Sequence, residues 1–408
     1  MLNPALSHPV RQIATQSVAA LLLTALLGVD ASLLAADRPV STAAQLNQAV
    51  ATAQPGDRIL IASGNYSNNF YFSNVHGTAD LPITLTAANP ANPPRFTSTQ
   101  TGLQFSRVSY LELTDVIITG SGQNGLNIDD GGNASQPSHH VLLSNLQIRD
   151  IGPTGNRDGI KLSGVDDFLI ENCTIERWGS GGSGIDMVGC HRGIISSSLF
   201  RNGGANAVQT KGGTSDVTVT GSRFENAGER AMNIGGSTGN AFFRPPLDQF
   251  PPDGKYEAKN ILVEGCTFVG GGAHFAFVGV DGATVRYNTS YNPGRYVIRI
   301  LQEKTDPGFV PCRNGVFEHN LVVFRSNNWA AGGVNVGGNT APATFQFAGN
   351  FWYCEDRPDR SRPTLPTPEQ NGIYGQNPQF LNAAGGDFNV PETSPAINVG
   401  AHALMDEE

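Results

Sequence analysis

One short pattern recurs along this chain and limits what it can fold into. It reads "IENCTI", "ISSSLF", "VTGSRF", "VEGCTF", "VRYNTS" and "FEHNLV", each a small or polar residue set between short apolar-rich strands. Taking that residue as a marker gives Cys173, Ser198, Ser222, Cys266, Asn288, Asn320 and Asn350, with gaps of 25, 24, 44, 22, 32 and 30 residues. A second strand keeps the same pace as "GIKL", "GIDM", "AVQT", "AMNI", "VIRI" and "GVNV". Short alternating strands at such a period, broken by Gly and Asn, predict a solenoid, because one turn cannot bury its apolar residues without neighbours. The markers then stack in a column where Asn can hydrogen-bond rung to rung and Ser or Cys fits tightly. The expected class is all-β, a single-stranded right-handed parallel β-helix.

The ends and interruptions follow from the same reading. "STAAQLNQAVATAQPGD", with Ser41 as its cap, predicts a short amphipathic helix over about 41–54 that closes the first rung. The gap of 44 predicts an insertion over about 237–260, carrying four prolines with Phe242, Phe243, Phe250 and Tyr256, as a loop standing off the solenoid. Further excursions are "LQEKTDPGFVPCRNG" and "EDRPDRSRPTLPTPEQ". Loops of this length on a rigid scaffold more often carry function than structure.

Residues 1–36 read as a signal peptide: Arg11 supplies the positive start, Ser17–Val29 the apolar run, and Ala35 and Ala36 the cleavage site. The run is short for a membrane span, and nothing later could cross one. The remaining 37–408 form one β-helix domain, expected to be secreted or periplasmic and monomeric. Five cysteines cannot all pair. Cys312 and Cys354, in irregular segments, could form a disulfide, while Cys173 and Cys266 read as small buried residues. A net charge of −9 with no basic stripe excludes nucleic acid as a partner. A local cationic groove for an anionic polysaccharide remains compatible with that charge.

"AVATAQPGDRILIASGNY", "GTADLPITLTAANPANPPRF" and the closing "NPQFLNAAGGDFNVPETSPAINVGA" resemble secreted parallel β-helix proteins, among them the alginate lyase and chondroitinase B group. The fold resemblance spans nearly all of 37–408. It implies a polysaccharide lyase that acts by β-elimination on a uronate-containing glycan.

Strand alternation picks out candidate residues. Asn127, Lys161, Asp186, Gln209, Asn233, Arg299 and Asn335 point outward on successive aligned strands, with Asp129, Ser163 and Lys211 one position further on. β-Elimination needs a base and donors for the sugar carboxylate. The resemblance assigns Lys211 as base with Arg230 as its catalytic partner; Gln209, Asn233, Asp186, Lys161 and Arg299 are expected to contact substrate. That group carries Arg-His-Gly on the next strand, where this chain has "AMNIGG" with Arg230 ahead of it in the turn. No acidic calcium cluster accompanies Lys211, so calcium is not carried over and the cofactor is unknown. His139 and His140 lack a zinc-like ligand set, and no metal residue is assigned.

Two other readings use the same face. A hydrolase would need converging carboxylates, for which Asp129, Asp130, Asp158 and Asp186 are candidates, with Asp166 and Asp167 placed in a turn. A non-catalytic carbohydrate-binding or structural cell-surface protein needs only the rigid groove.

Overall fold

The computed structural model describes residues 35–400. The expected signal segment therefore lies almost wholly outside the described residues. The chain coils through three parallel sheets of 12, 10 and 12 strands. One representative turn runs Asn206–Lys211, Thr214–Thr220 and Arg223–Ala227 before the next begins at Arg230–Gly235. Each strand pairs in parallel with its equivalent one turn away, so backbone hydrogen bonds run along the coil axis. The apolar side chains turned inward stack in columns; Phe200, Phe224 and Phe268 lie face to face at 4.8 and 4.5 Å.

The marker column forms as the spacing predicts. Each marker follows a corner residue in the left-handed conformation, with φ between 48° and 62° from Asn172 through Gly349. The marker's own N–H faces inward there and needs an acceptor. The next rung provides it: Cys173 N donates to Ser198 Oγ (3.1 Å), Asn288 N to Asn320 Oδ1 (3.0 Å), and Asn320 N to Asn350 Oδ1 (2.9 Å). The column extends further towards the N-terminus than the repeat suggests. Asp115 and Asn145 make the same left-handed corner, followed by the apolar Val116 and Leu146.

The cap helix spans Ala43–Ala51, and its N-cap is Thr42 rather than Ser41. Thr42 Oγ1 accepts from Gln45 N at 3.2 Å, while Gln45 Oε1 accepts from Ser41 N at 2.9 Å, a capping box shifted by one residue. Leu46, Ala49 and Val50 bury against the first rungs.

The insertion leaves after Gly235 and ends at Glu257, because Ala258–Glu264 is already a strand. It does not stand off the coil. Arg244 lies along a corner of the helix, where a Cβ on Gly189 would come within 2.3 Å of the Arg244 Cβ and one on Gly164 within 2.6 Å of its Nε. These glycines have φ of 58° and 65°, so both backbone conformation and space restrict the positions.

All five cysteines are buried free thiols, so the Cys312–Cys354 disulfide does not form. Burial pushes the Cys173 and Cys266 thiols up to about 12, as fits inert packing residues. Among the described residues, no helix is long and apolar enough to cross a membrane.

Candidate functional site

The ten-stranded sheet carries the outward polar column. Its register aligns Asn127, Lys161, Asp186, Gln209 and Asn233 on successive strands. Ala276 comes next, then Arg299 and Asn335. The strand Ala273–Val278 is a complete rung that the repeat list omits; "HFAFV" presents no polar residue at the outward position. Arg299 is therefore two rungs beyond Asn233, not one.

At the centre, two lysines converge on one carboxylate. Lys161 Nζ donates to Asp186 Oδ2, and Lys211 Nζ lies 3.2 Å from Asp186 Oδ1. The second contact is an ion pair by distance but off the line of a hydrogen bond, which leaves Oδ1 without an aligned donor. The Asp186 side chain is 1% exposed, against 19% for Lys161 and 17% for Lys211. Solvent thus meets two ammonium groups with their counter-charge beneath them. This is not a surface ladder pair, for which exposure and screening keep the contribution small.

Gln209 supports the lysine: its Oε1 accepts from Lys211 Nζ, Asn206 Nδ2 and Ser183 Oγ, each at 3.3 Å. Beneath the cluster lies Asp158, in the irregular segment before Ile160–Ser163, with Ser183 N donating to its Oδ1 at 2.7 Å. Burial, and then the negative charge of Asp186, push the Asp158 carboxyl up to about 6 against the opposing pull of Lys161 and Lys211. Burial works to lower Lys161, but Asp186 and Asp158 outweigh it and hold the ammonium above its usual range. Asp158 is thus a member of the lysine site as well as a candidate carboxylate.

The arginines sit further along the groove. Arg230 is the first residue of its strand, not part of the preceding turn. It donates to Asn233 Oδ1 at 3.1 Å and pairs with Glu303 Oε1 at 2.8 Å. Arg299 Nε donates to the Asn335 side chain at 3.1 Å; burial and then the nearby Arg230 charge lower its pKa. The structure therefore joins Lys161, Asp186, Lys211 and Gln209 directly, while Arg230 with Asn233 and Arg299 with Asn335 form adjoining groups.

Two of the sequence excursions form one wall. Lys304 Nζ donates to Asn240 Oδ1 at 2.5 Å, Val310 N to Lys255 O at 2.9 Å, and Phe243 packs on Phe309 at 5.4 Å. The wall is fastened to the lysine strand through Glu257, which is fully buried. Its carboxylate accepts from Gly212 N, immediately after Lys211, at 2.9 Å, and from Thr238 N and Oγ1 at 2.7 Å.

Other candidates fall elsewhere. Asp130 is buried against Arg244 of the insertion. Asp129 accepts from Gln104 and Ser106 at 2.6 Å. Asp166 and Asp167 lie within a strand of a neighbouring sheet, not a turn, bound to His191 and Arg192. His139 and His140 contact each other, and among the described residues no three His, Cys, Asp or Glu side chains are placed to hold a metal.

The segment 134–244, which includes Lys161, Asp186, Lys211 and Arg230, matches the family model described as a right handed beta helix region. The chain is a right-handed parallel β-helix. Solved structures of the same fold include an alginate lyase from a Paenibacillus species, with 22% identity, coverage of 77% of this chain and 94% of that one, and a TM-score of 0.50. A lacto-N-biosidase from Eubacterium ramulus is similar at 14% identity, 83% and 67% coverage, and a TM-score of 0.54. A rhamnogalacturonan lyase is similar at 15% identity, 76% and 82% coverage, and a TM-score of 0.51. No curated protein matches the chain at the sequence level.

Proposed function

We propose that this β-helix is an exported enzyme that cleaves an acidic polysaccharide by β-elimination, with Lys211 as the base. The observation that carries the reading is the convergence of Lys161 and Lys211 on the buried Asp186. It makes the accessible side of the groove cationic on a protein whose net charge is −9. A uronate carboxylate is the natural counter-ion for such a groove. Two of the solved structures with this fold are named an alginate lyase and a rhamnogalacturonan lyase.

In the proposed reaction, Lys211 must first shed its ammonium proton. Asp186 Oδ1, next to it and without an aligned donor, is placed to take that proton. The neutral amine then removes the hydrogen on the carbon bearing the carboxylate. The electron pair of that C–H bond forms the new double bond as the glycosidic C–O bond breaks. The departing oxygen takes a proton from the Lys161 ammonium, and Arg230 with Asn233 neutralises the developing charge on the carboxylate.

One observation favours a second reading. Asp158 holds its proton up to about pH 6 while Asp186 beside it is paired with two cations, and an unequal carboxyl pair suits hydrolysis. Both carboxylates lie under the lysines, however, and would have to be uncovered before touching a sugar.

The test is to assay the mature protein on alginate, pectate, glycosaminoglycans and neutral glycans, following ultraviolet absorbance and new reducing ends together. Absorbance from an unsaturated uronate supports β-elimination. Reducing ends without absorbance transfer the chemistry to Asp158 and Asp186, and binding without either product makes the protein a carbohydrate-binding module.

A further inference from the structure

Three rungs beyond Lys211, the same groove gathers positive charge that the reaction does not use. Arg295 lies in the corner before the strand Tyr296–Leu301 and is exposed, and Arg299 follows on that strand. Both guanidinium carbons sit 5.2 Å from the centroid of the Tyr296 ring. Arg230 reaches into the same neighbourhood, where its charge acts on Arg299.

The counter-charges are few. Glu303 pairs with Arg230, Arg299 is bonded only to the neutral Asn335 amide, and the Arg295 side chain has no hydrogen bond or ion pair among the described residues. The one bonded carboxylate, Glu303, is on Arg230, which leaves Arg295 and Arg299 for an anion to complete, because a planar guanidinium binds a carboxylate through two parallel hydrogen bonds. Tyr296 holds two of the groups by cation–π contact, which limits the rotamer freedom lost on binding. The buried Ala276 lies between Asn233 and Arg299 in the register.

We infer that Arg295 and Arg299, both against Tyr296, form a second anion subsite, which binds the carboxylate of a further sugar of the same chain. This rests on the reading of the groove as a site for acidic polysaccharide. Rungs are spaced by about 4.8 Å, so the strand bearing Arg299 lies roughly 14 Å from that bearing Lys211. A chain reaching both must extend along the coil axis, and a two-sugar fragment held at Lys211 does not reach Arg295.

The experiment is calorimetric binding of alginate- and pectate-derived oligouronates, two and five sugars long, to the full-length mature protein and to Arg295→Ala and Arg299→Gln. Arg295 has no polar partner to lose, so its variant tests the subsite without disturbing the fold. The five-sugar ligand should bind Arg295→Ala about tenfold more weakly than wild type, with a shallower salt dependence, while two-sugar binding changes less than twofold. Equal loss on both lengths, no loss on either, or no gain by wild type from the longer chain would overturn the subsite. Length-dependent binding that needs Arg295, in a protein that makes no unsaturated product, would remove the lyase reading and leave the subsite standing.

Discussion

Lys211 Nζ stands 3.2 Å from Asp186 Oδ1 across one rung of the coil, while Lys161 binds the other oxygen of the same carboxylate. One buried anion thus orders two ammonium groups. Asp186→Asn should leave those cations facing each other over a neutral amide and destabilise the protein by about 3 kcal/mol. Urea denaturation measures that loss. The same substitution removes one of the two influences that raise Asp158, so its titration, followed by carboxyl-carbon NMR, should move down from about 6.

Asp158 gives a pH dependence of defined sign. Its carboxyl titrates at about 6 in the fold against 3.8 ordinarily, so the native state favours the protonated form. Its favourable contribution is complete below about pH 4 and is lost as pH rises to about 6. Asp158→Asn keeps an acceptor for Ser183 N and removes the buried charge. The variant should match wild type near pH 4 and exceed it at pH 8 by on the order of 3 kcal/mol. Thermal unfolding at both values checks this, and a variant less stable than wild type at pH 8 would contradict it.

Glu257 ties the wall to the lysine strand. Glu257→Ala leaves Gly212 N, Thr238 N and the Thr238 hydroxyl without their acceptor and should cost about 3 kcal/mol. Limited proteolysis should then cut first between Ser237 and Glu257, whereas the wild type resists there.

In the marker column, Asn320→Ala removes the acceptor of both Asn288 N and Asn288 Nδ2, each at 3.0 Å. The expected loss is about 3 kcal/mol. Asn320→Ser should recover part of it, because Ser198 and Ser222 serve the same role on their own rungs.

The coil was legible because its cause is local. A left-handed corner followed by a buried N–H leaves a residue-level trace that fades where Val116 and Leu146 occupy the marker, and the separate polar pattern of the ten-stranded sheet breaks at "HFAFV", although Cys266 and Asn288 still mark the corners on either side. The grouping of Lys161, Asp186, Gln209 and Lys211 was legible too, since outward positions on consecutive strands must adjoin. Asp158 and Glu257 were harder to assign. Asp158 sits in the irregular segment before its strand, outside the strand alternation, and Glu257 acts across 45 residues on Gly212, a contact set by how the insertion folds back. Arg295 was missed for a related reason: it precedes its strand, and its significance comes from the scarcity of carboxylates around it.

Whether Lys211 is the base is decided by turnover of Lys211→Arg on whichever acidic polysaccharide yields unsaturated product. Arginine keeps the positive charge beside Asp186 but does not give up its proton in this pH range. The kcat should fall by at least about a hundredfold, with KM within a few-fold of wild type. A kcat within about tenfold of wild type would mean that Lys211 supplies only charge and that the base lies elsewhere.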